Sequence, residues 1–327
     1  MRISICTRID VDKITGRNGF GYATLGMVCA LRALGYTVTN NDATADVEIA
    51  FDQPHEVKWT SLSQYHILYV PWESTELLPG WLAIMNQADE VWTPSGLIGG
   101  WFKKAGISRP IHIYEHGVEH SWAPQARVRS GPTRFLMVGA EASRKGGWDT
   151  VALFREIFLG SKDVELTIKL INSNWNGFER VGNVNYINKS LSLDELQGLF
   201  YKNDVYVYPS FGEGFGLTPL QAIATGMPTI TVPAWAPYRD LLDTNLNISS
   251  MKAKSAWPKI HPGYMLRPSF EDIRNKMLYA HENFEQISDF AINQAATVHE
   301  KYDWINLTRH VFDELSARLN SRILVSH

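Results

Sequence analysis

Val205 to Ile230, VYVYPSFGEGFGLTPLQAIATGMPTI, holds a strand, a glycine loop and the start of a helix in one uninterrupted stretch. Val205-Tyr206-Val207-Tyr208 is a β-branched and aromatic run of strand length, and Pro209-Ser210 stops it. Gly212, Gly214 and Gly216 alternate with Glu213 and Phe215, so the backbone there can turn tightly and approach a ligand with no Cβ in the way. From Leu217 the apolar residues Leu217, Leu220, Ile223 and Ala224 recur at helical spacing until Gly226, and Pro228 closes the segment. The first amides of such a helix lack intrahelical acceptors, which makes its N-terminus a seat for an anion or a ring of hydroxyls.

Around that stretch lie 327 residues, too many for one ordinary domain and enough for two with separate cores. A net charge of −3 gives no polyelectrolyte footprint. No apolar run has bilayer-spanning length and the N-terminus lacks a signal-peptide pattern, so the expected location is the cytoplasm. Two cysteines fit a reducing compartment: Cys6 ends a buried strand and Cys29 falls on an apolar helix face, and both read as core.

The first half alternates strands and helices, as a doubly wound parallel sheet requires. Strands are expected at Arg2–Ile9, Val47–Phe51, His66–Val70, Asp89–Thr93 and Ile111–Tyr114. Helices are expected from Tyr22 to Leu34, from Leu78 to Ala88 and over Trp101–Ala105. The loop Thr15–Gly21 leads into the first helix with Gly19 and Gly21, and Glu73 follows a parallel strand at the edge where open α/β sheets carry ligands. Pro124–Pro132 reads as a linker. Beyond it come a strand at Arg134–Val138, the loop Gly139–Gly147 with Arg144 and Lys145, and a helix from Trp148 to Leu159. Two adjacent cations just before a helix N-terminus offer a diphosphate both positive charge and aimed amides. Strands at Leu166–Ile171 and Val184–Ile187, a helix Leu193–Tyr201 capped by Ser192 with Glu195 as its box partner, and a strand at Thr229–Val232 complete the second sheet. Lys252–Tyr264 reads as an exposed basic and aromatic excursion, able to stack a base or meet an anionic acceptor. Three helical segments follow between Phe270 and Leu319.

Glu213-Gly214-Phe215-Gly216-Leu217, flanked by Pro209-Ser210 and Gly226-Met227-Pro228, resembles the signature of the glycosyltransferase family 4 group, where a second acid follows the first after seven residues. Here Gln221 stands in that second place. Ala88-Asp89 through Pro94-Ser95 and His116-Gly117-Val118-Glu119 resemble phrases of the same group's N-terminal half. Val138-Gly139 followed by Arg144-Lys145 resembles its phosphate motif, although Ala140 occupies the position of a common arginine.

The resemblance implies an α/β fold of the GT-B type: two Rossmann-like doubly wound domains facing a cleft, with C-terminal helices crossing back. The expected boundaries are an acceptor-side domain over 1–123, a linker over 124–132, a donor-binding domain over 133–300 and a returning helix over 301–327. It further implies a retaining, metal-independent transfer of sugar from a nucleoside diphosphate sugar. The expected catalytic set is Glu213, Lys145, Arg144 and Glu73, and the expected donor-binding set is Gly19, Gly21, Gly139, Phe215, Gly216, Leu217, Gln221 and Asp240. No tightly bound cofactor and no metal is implied, so Asp10-Val11-Asp12 reads as a polar loop. The base and sugar of the donor, the oligomeric state and the acceptor are not readable, and glycan, protein, metabolite and modified DNA base all stay open. Competing readings are a non-catalytic sugar-nucleotide or glycan-binding module, and a sugar-nucleotide epimerase or phosphorylase on the same scaffold.

Overall fold

The computed structural model describes residues 1–7, 11–13, 19–61, 64–140, 143–171 and 176–325. The chain divides into two compact units: residues 1–72, 76–119 and 301–327 form the first, and 73–75 with 120–300 form the second. By fold this is an α/β protein with a Rossmann-like sheet in each unit.

The first unit runs β1 (Arg2–Cys6), α1 (Gly19–Ala33), β2 (Thr37–Asn40), β3 (Val47–Phe51), β4 (Tyr65–Tyr69), α2 (Trp81–Met85), β5 (Glu90–Thr93), α3 (Gly96–Ala105) and β6 (Ile111–Ile113). The strands are parallel in the order β2-β1-β3-β4-β5-β6. Ile3, Ile5, Val47, Ile49 and Ile67 are buried on one face and Cys6, Ala50, Leu68 and Val91 on the other, the two-sided burial that a parallel sheet demands. Four expectations are corrected here. The first strand ends at Cys6, with Ile9 and Asp10 outside the described residues, and the first helix already includes Gly19 and Gly21. The third helix begins five residues early, at Gly96 behind an N-cap Ser95 that accepts from Ile98 N at 3.3 Å; Gly96, Gly99 and Gly100 concealed it because glycine disfavours helix. Cys29 is exposed, whereas Cys6 is buried and donates to Lys58 O at 3.1 Å.

The second unit contributes β7 (Thr133–Val138), α4 (Gly147–Phe158), β8 (Val164–Leu170), β9 (Gly177–Val181), β10 (Val184–Asn188), α5 (Leu193–Lys202), β11 (Val205–Tyr208), α6 (Leu217–Ala224) and β12 (Thr229–Thr231). These strands lie in the order β12-β11-β7-β8-β10-β9, parallel except for the edge strand β9. The expected capping box of α5 is present: Glu195 N donates to Ser192 Oγ, and Ser192 N to Glu195. The exposed excursion expected at Lys252–Tyr264 is part of a separate antiparallel hairpin, β13 (Ser250–Lys254) with β14 (Tyr264–Pro268). The helices α7 (Phe270–Glu282), α8 (Phe284–Lys301) and α9 (Trp304–Val325) close the chain.

Residues 124–132, expected as a linker, are bound to the second unit. Arg127 donates to the carbonyls of Asn203, Thr225, Phe200 and Gln125. The α9 helix belongs to the first unit, where Val311, Phe312 and Leu315 join the core of Ile3 and Ile5 and Tyr114 Oη meets Thr308 Oγ1 at 2.6 Å.

Candidate active site

The strand order of the second sheet reverses between β7 and β11, and open α/β sheets bind ligands in that crevice, beyond the carboxyl ends of the strands. Two loops meet there. One follows β7 and holds Gly139, Arg144 and Lys145; the other follows β11 and holds Ser210, Gly212, Glu213 and Gly216.

Glu213 is 7% exposed and sits among donors. Its Oε1 accepts from Ser210 Oγ at 2.7 Å, from Tyr208 Oη at 2.9 Å and from Lys145 Nζ at 3.2 Å, and Arg144 lies 3.7 Å away. Burial raises its pKa, but the charges of Lys145 and Arg144 and the two hydroxyl bonds outweigh it and hold the carboxyl below its usual range. Its Oε2 has Lys145 at 3.3 Å as its sole described partner, which leaves it acceptor capacity for a ligand hydroxyl. Tyr208 accepts from Lys145 Nζ at 2.7 Å while donating to Glu213; burial, then the Glu213 charge, push its own ionisation well above the ordinary tyrosine value.

The cations are already paired. Lys145 serves Glu213 and Tyr208, and Arg144, itself buried, donates to Gly212 O at 2.7 Å and lies 3.8 Å from Glu73 Oε1. Glu73 was expected in the acceptor-side domain, but Glu73–Thr75 packs with the second unit. A Cβ on Gly212 would collide with Glu73 O, so only glycine lets these two backbones approach. Thr75 N donates to Tyr264 O at 3.1 Å, Tyr264 N returns a bond to Thr75 Oγ1 at 2.9 Å, and His261 Nδ1 lies 3.5 Å from Glu73 Oε2.

Gly216 caps α6 at φ +84°, and a side chain there would strike the Trp235 ring and the Tyr238 hydroxyl, which donates to Gly216 O at 2.6 Å. Phe215 is buried with its ring edge on Tyr238, and Leu217 opens α6. One turn further along, Gln221 is 3% exposed and its Oε1 has no hydrogen-bond partner among the described residues. Gly139 packs so closely on Lys145 that a Cβ there would lie 2.9 Å from its Cδ.

The structure thus brings together Glu213, Arg144, Lys145, Glu73, Gly139 and Gly216, with Phe215, Leu217 and Gln221 at the adjoining loop and helix. Asp240 stands apart: it is exposed on a 3-10 turn, Arg239–Leu241, and no described contact joins it to the cluster. Gly19 and Gly21 lie in the first unit, in the opening turn of α1. Tyr208, Trp235, Tyr238 and His261 were missed. Tyr208 was hidden as a strand residue, Trp235 and Tyr238 lay in a loop read for its acid, and His261 was grouped with the basic residues of the 252–264 stretch. Asp12, half of the D-x-D triplet, pairs with Arg32 at 2.7 Å.

Two further cavities lie elsewhere. One of about 800 Å³ sits at the amino ends of β7 and β11, lined by Arg127, Arg134 and Asp204, whose charges are engaged within the protein. The other, about 550 Å³, lies beyond the carboxyl ends of β1 and β3, where the first sheet reverses its strand order, and is lined by Thr7, Asn41, Asp52 and His55. No helix among the described residues is long and apolar enough to cross a membrane.

Sucrose-phosphate synthase from Thermosynechococcus elongatus superposes with a TM-score of 0.69 at 13% identity, covering 100% of this chain and 99% of that one. WaaG, a glycosyltransferase involved in lipopolysaccharide biosynthesis, gives a TM-score of 0.65 at 12% identity over 95% of this chain and 98% of its own. The fold is that of the GT-B glycosyltransferases.

Within that class, residues 120–247 match the family Glycosyl transferases group 1, a segment that holds Arg144, Lys145, Glu213 and Gln221. A putative glycosyltransferase of Sulfolobus islandicus filamentous virus is 25% identical over 214 residues, which is 63% of this chain; the chain spans 60% of that relative's length.

Proposed function

We propose that the protein is a retaining glycosyltransferase that moves a sugar from a nucleoside diphosphate sugar to an acceptor, without a metal. The observation that carries this reading is the Glu213–Lys145–Arg144 cluster beside the α6 N-terminus at the switch point of the second sheet. As the anomeric bond breaks, negative charge grows on the diphosphate and positive charge on the sugar ring. Fixed cations and amides at the leaving group then stabilise the transition state more than the ground state. Lys145 and Arg144, with the amides after Phe215, supply that stabilisation, and Glu213 Oε2 accepts sugar hydroxyls and orients the ring.

In this reading Gln221 Oε1, buried and without a hydrogen-bond partner among the described residues, accepts a ribose hydroxyl. A buried acceptor with no partner is destabilised by about 1–3 kcal/mol, and a hydroxyl donor relieves that. The acceptor's place in this reading is the polar cavity beyond β1 and β3, lined by Thr7, Asn41, Asp52 and His55. A second reading, a binding module without turnover, is favoured by Gln221 in place of an acid and by cations already neutralised by Glu73 and Glu213.

The test is thermal unfolding against a panel of nucleoside diphosphates and their sugars, followed by incubation with whichever donor binds. A ligand at one hundred times its Kd adds about 2.7 kcal/mol of stability. A shift with donor hydrolysis or transfer, and a product of unchanged anomeric configuration, supports the retaining enzyme. A shift with no turnover supports the binding module, and no shift removes the donor site altogether.

A further inference from the structure

The β13–β14 hairpin follows directly on the segment that matches the glycosyltransferase family, and its charge is one-sided. No acidic residue occurs between Asp243 and Glu271, whereas Lys252, Lys254 and Lys259 all fall on the hairpin and all are exposed. Among the described residues none of the three is in an ion pair; Lys252 instead lies over the Tyr264 ring, 4.5 Å from its centroid. The strand register puts Lys252 opposite Leu266 and Lys254 opposite Tyr264, so both lysines and the tyrosine share one face. At the turn, next to Lys259, Ile260 is 58% exposed. On the opposite face Met265 lies beneath Gly212, while Met251 and Arg267 stay at the surface; Trp257 is edge-on to Phe211 at 5.5 Å, and Leu266 N, from the strand edge, donates to Phe211 O at 2.8 Å. The hairpin is therefore a platform fixed to the glycine loop, and its exposed face carries uncompensated positive charge.

We propose that this face docks on an anionic lipid surface, with the three lysines on headgroup phosphates, the Tyr264 hydroxyl at the same level and Ile260 at the boundary with the acyl chains. Charge complementarity calls for an anionic partner, and two observations choose among anions. A nucleic acid or a glycan would stack on an open aromatic face, but the Lys252 ammonium lies over that of Tyr264. Ile260 gains nothing from phosphates in water, whereas hydrocarbon burial rewards it. Cations flanking an amphipathic ring beside an exposed aliphatic side chain suit the bilayer interface. This inference does not depend on the transferase reading.

The experiment is co-sedimentation of the full chain with vesicles of phosphatidylcholine containing about a quarter phosphatidylglycerol, against vesicles of phosphatidylcholine alone and a labelled single-stranded oligonucleotide. Each lysine near an anionic surface contributes about fivefold to partitioning, so reversing all three (Lys252→Glu, Lys254→Glu, Lys259→Glu) should lower it at least ~100-fold. Raising the salt should release the protein as the Debye length falls from about 10 Å at 0.1 M to about 3 Å at 1 M. Ile260→Ser should weaken binding about threefold or more through lost apolar burial, even with the charges intact. All variants are surface changes, and their thermal unfolding is compared with the parent to show that they fold. Failure to bind phosphatidylglycerol vesicles, equal binding by the reversed variant, or lysine-dependent capture of the oligonucleotide without vesicle binding would overturn the proposal.

Discussion

At the scale of single residues the site is a charge-balanced chain, Glu73 to Arg144 to Glu213 to Lys145, and any incoming diphosphate competes with protein carboxylates for its cations. Removing one carboxylate should therefore favour an anion. Glu73→Gln is expected to tighten inorganic pyrophosphate binding about tenfold, equivalent to ~1.4 kcal/mol, measured by titration calorimetry. Unchanged or weaker binding would separate Arg144 from the phosphates. Gln221→Glu is expected to tighten nucleoside diphosphate binding about tenfold, because charge-assisted bonds to hydroxyls contribute roughly 1.5–3 kcal/mol against about 1 for neutral ones; a variant that loses binding would displace the ribose from α6. These acids, cations and glycines were legible in the sequence, since each is a residue type whose chemistry requires a particular backbone or charge. Their pairing was not. Glu73 is separated from Arg144 by the whole of α2, β5, α3, β6 and β7, and nothing local encodes that they meet. Asp240 was chosen because it is an acid, while the loop acts on the site through Trp235, which donates to Ser210 O at 3.1 Å, and through Tyr238.

At the scale of elements, strands buried on both sides were legible and strands held by backbone pairing alone were not. Val205–Tyr208 announces itself through four buried side chains, whereas β9 has four exposed residues and β13 the sequence SMKAK, so neither shows an apolar period. The junction between β11 and α6 depends on one glycine. Gly216→Ala combines a left-handed conformation with collisions at Trp235 and Tyr238, and is expected to cost about 2–3 kcal/mol in urea unfolding. The α9 helix is held by a different device. Arg318 donates to both oxygens of Glu90 at 2.8 and 3.1 Å, and Tyr65 and Trp92 complete the shell of a carboxylate only 1% exposed. Burial raises the Glu90 pKa, but Arg318 and Trp92 outweigh it and keep the group ionised. Arg318→Ala strands that charge and should destabilise by about 3 kcal/mol, whereas adding Glu90→Gln should recover part of the loss, because the penalty lies in the unpaired charge. Full additivity of the two changes would show that the pair is not coupled.

At the scale of the whole molecule, response to acid follows from which groups each unit holds away from their ordinary ionisation. In the first unit His116 is buried between the aromatic rings of Tyr69 and Trp304, and burial lowers its pKa from 6.5 to about 3. A depressed pKa contributes stability that is present above the unfolded value and lost as pH falls towards the folded one, so this loss begins near pH 6.5 and continues towards 3. In the second unit Glu213 is also depressed, and its contribution is present above about pH 4.3 and lost below it. Burial works the other way on Glu115, whose raised pKa opposes the histidine at the low end of the range. Between about pH 6.5 and 4.5 His116 therefore contributes a slope approaching ~1.4 kcal/mol per pH unit, to which the burial-lowered His112 and His281 add. His116→Gln replaces an imidazole that must stay neutral with a group that does not titrate. The variant should be less stable at neutral pH from lost packing against Tyr69 and Trp304, yet its unfolding free energy should fall less steeply than the parent's between pH 6.5 and 4.5, the remaining slope coming from His112 and His281, whose pKa values burial also lowers. Parallel curves for the two proteins would place the acid sensitivity in other groups.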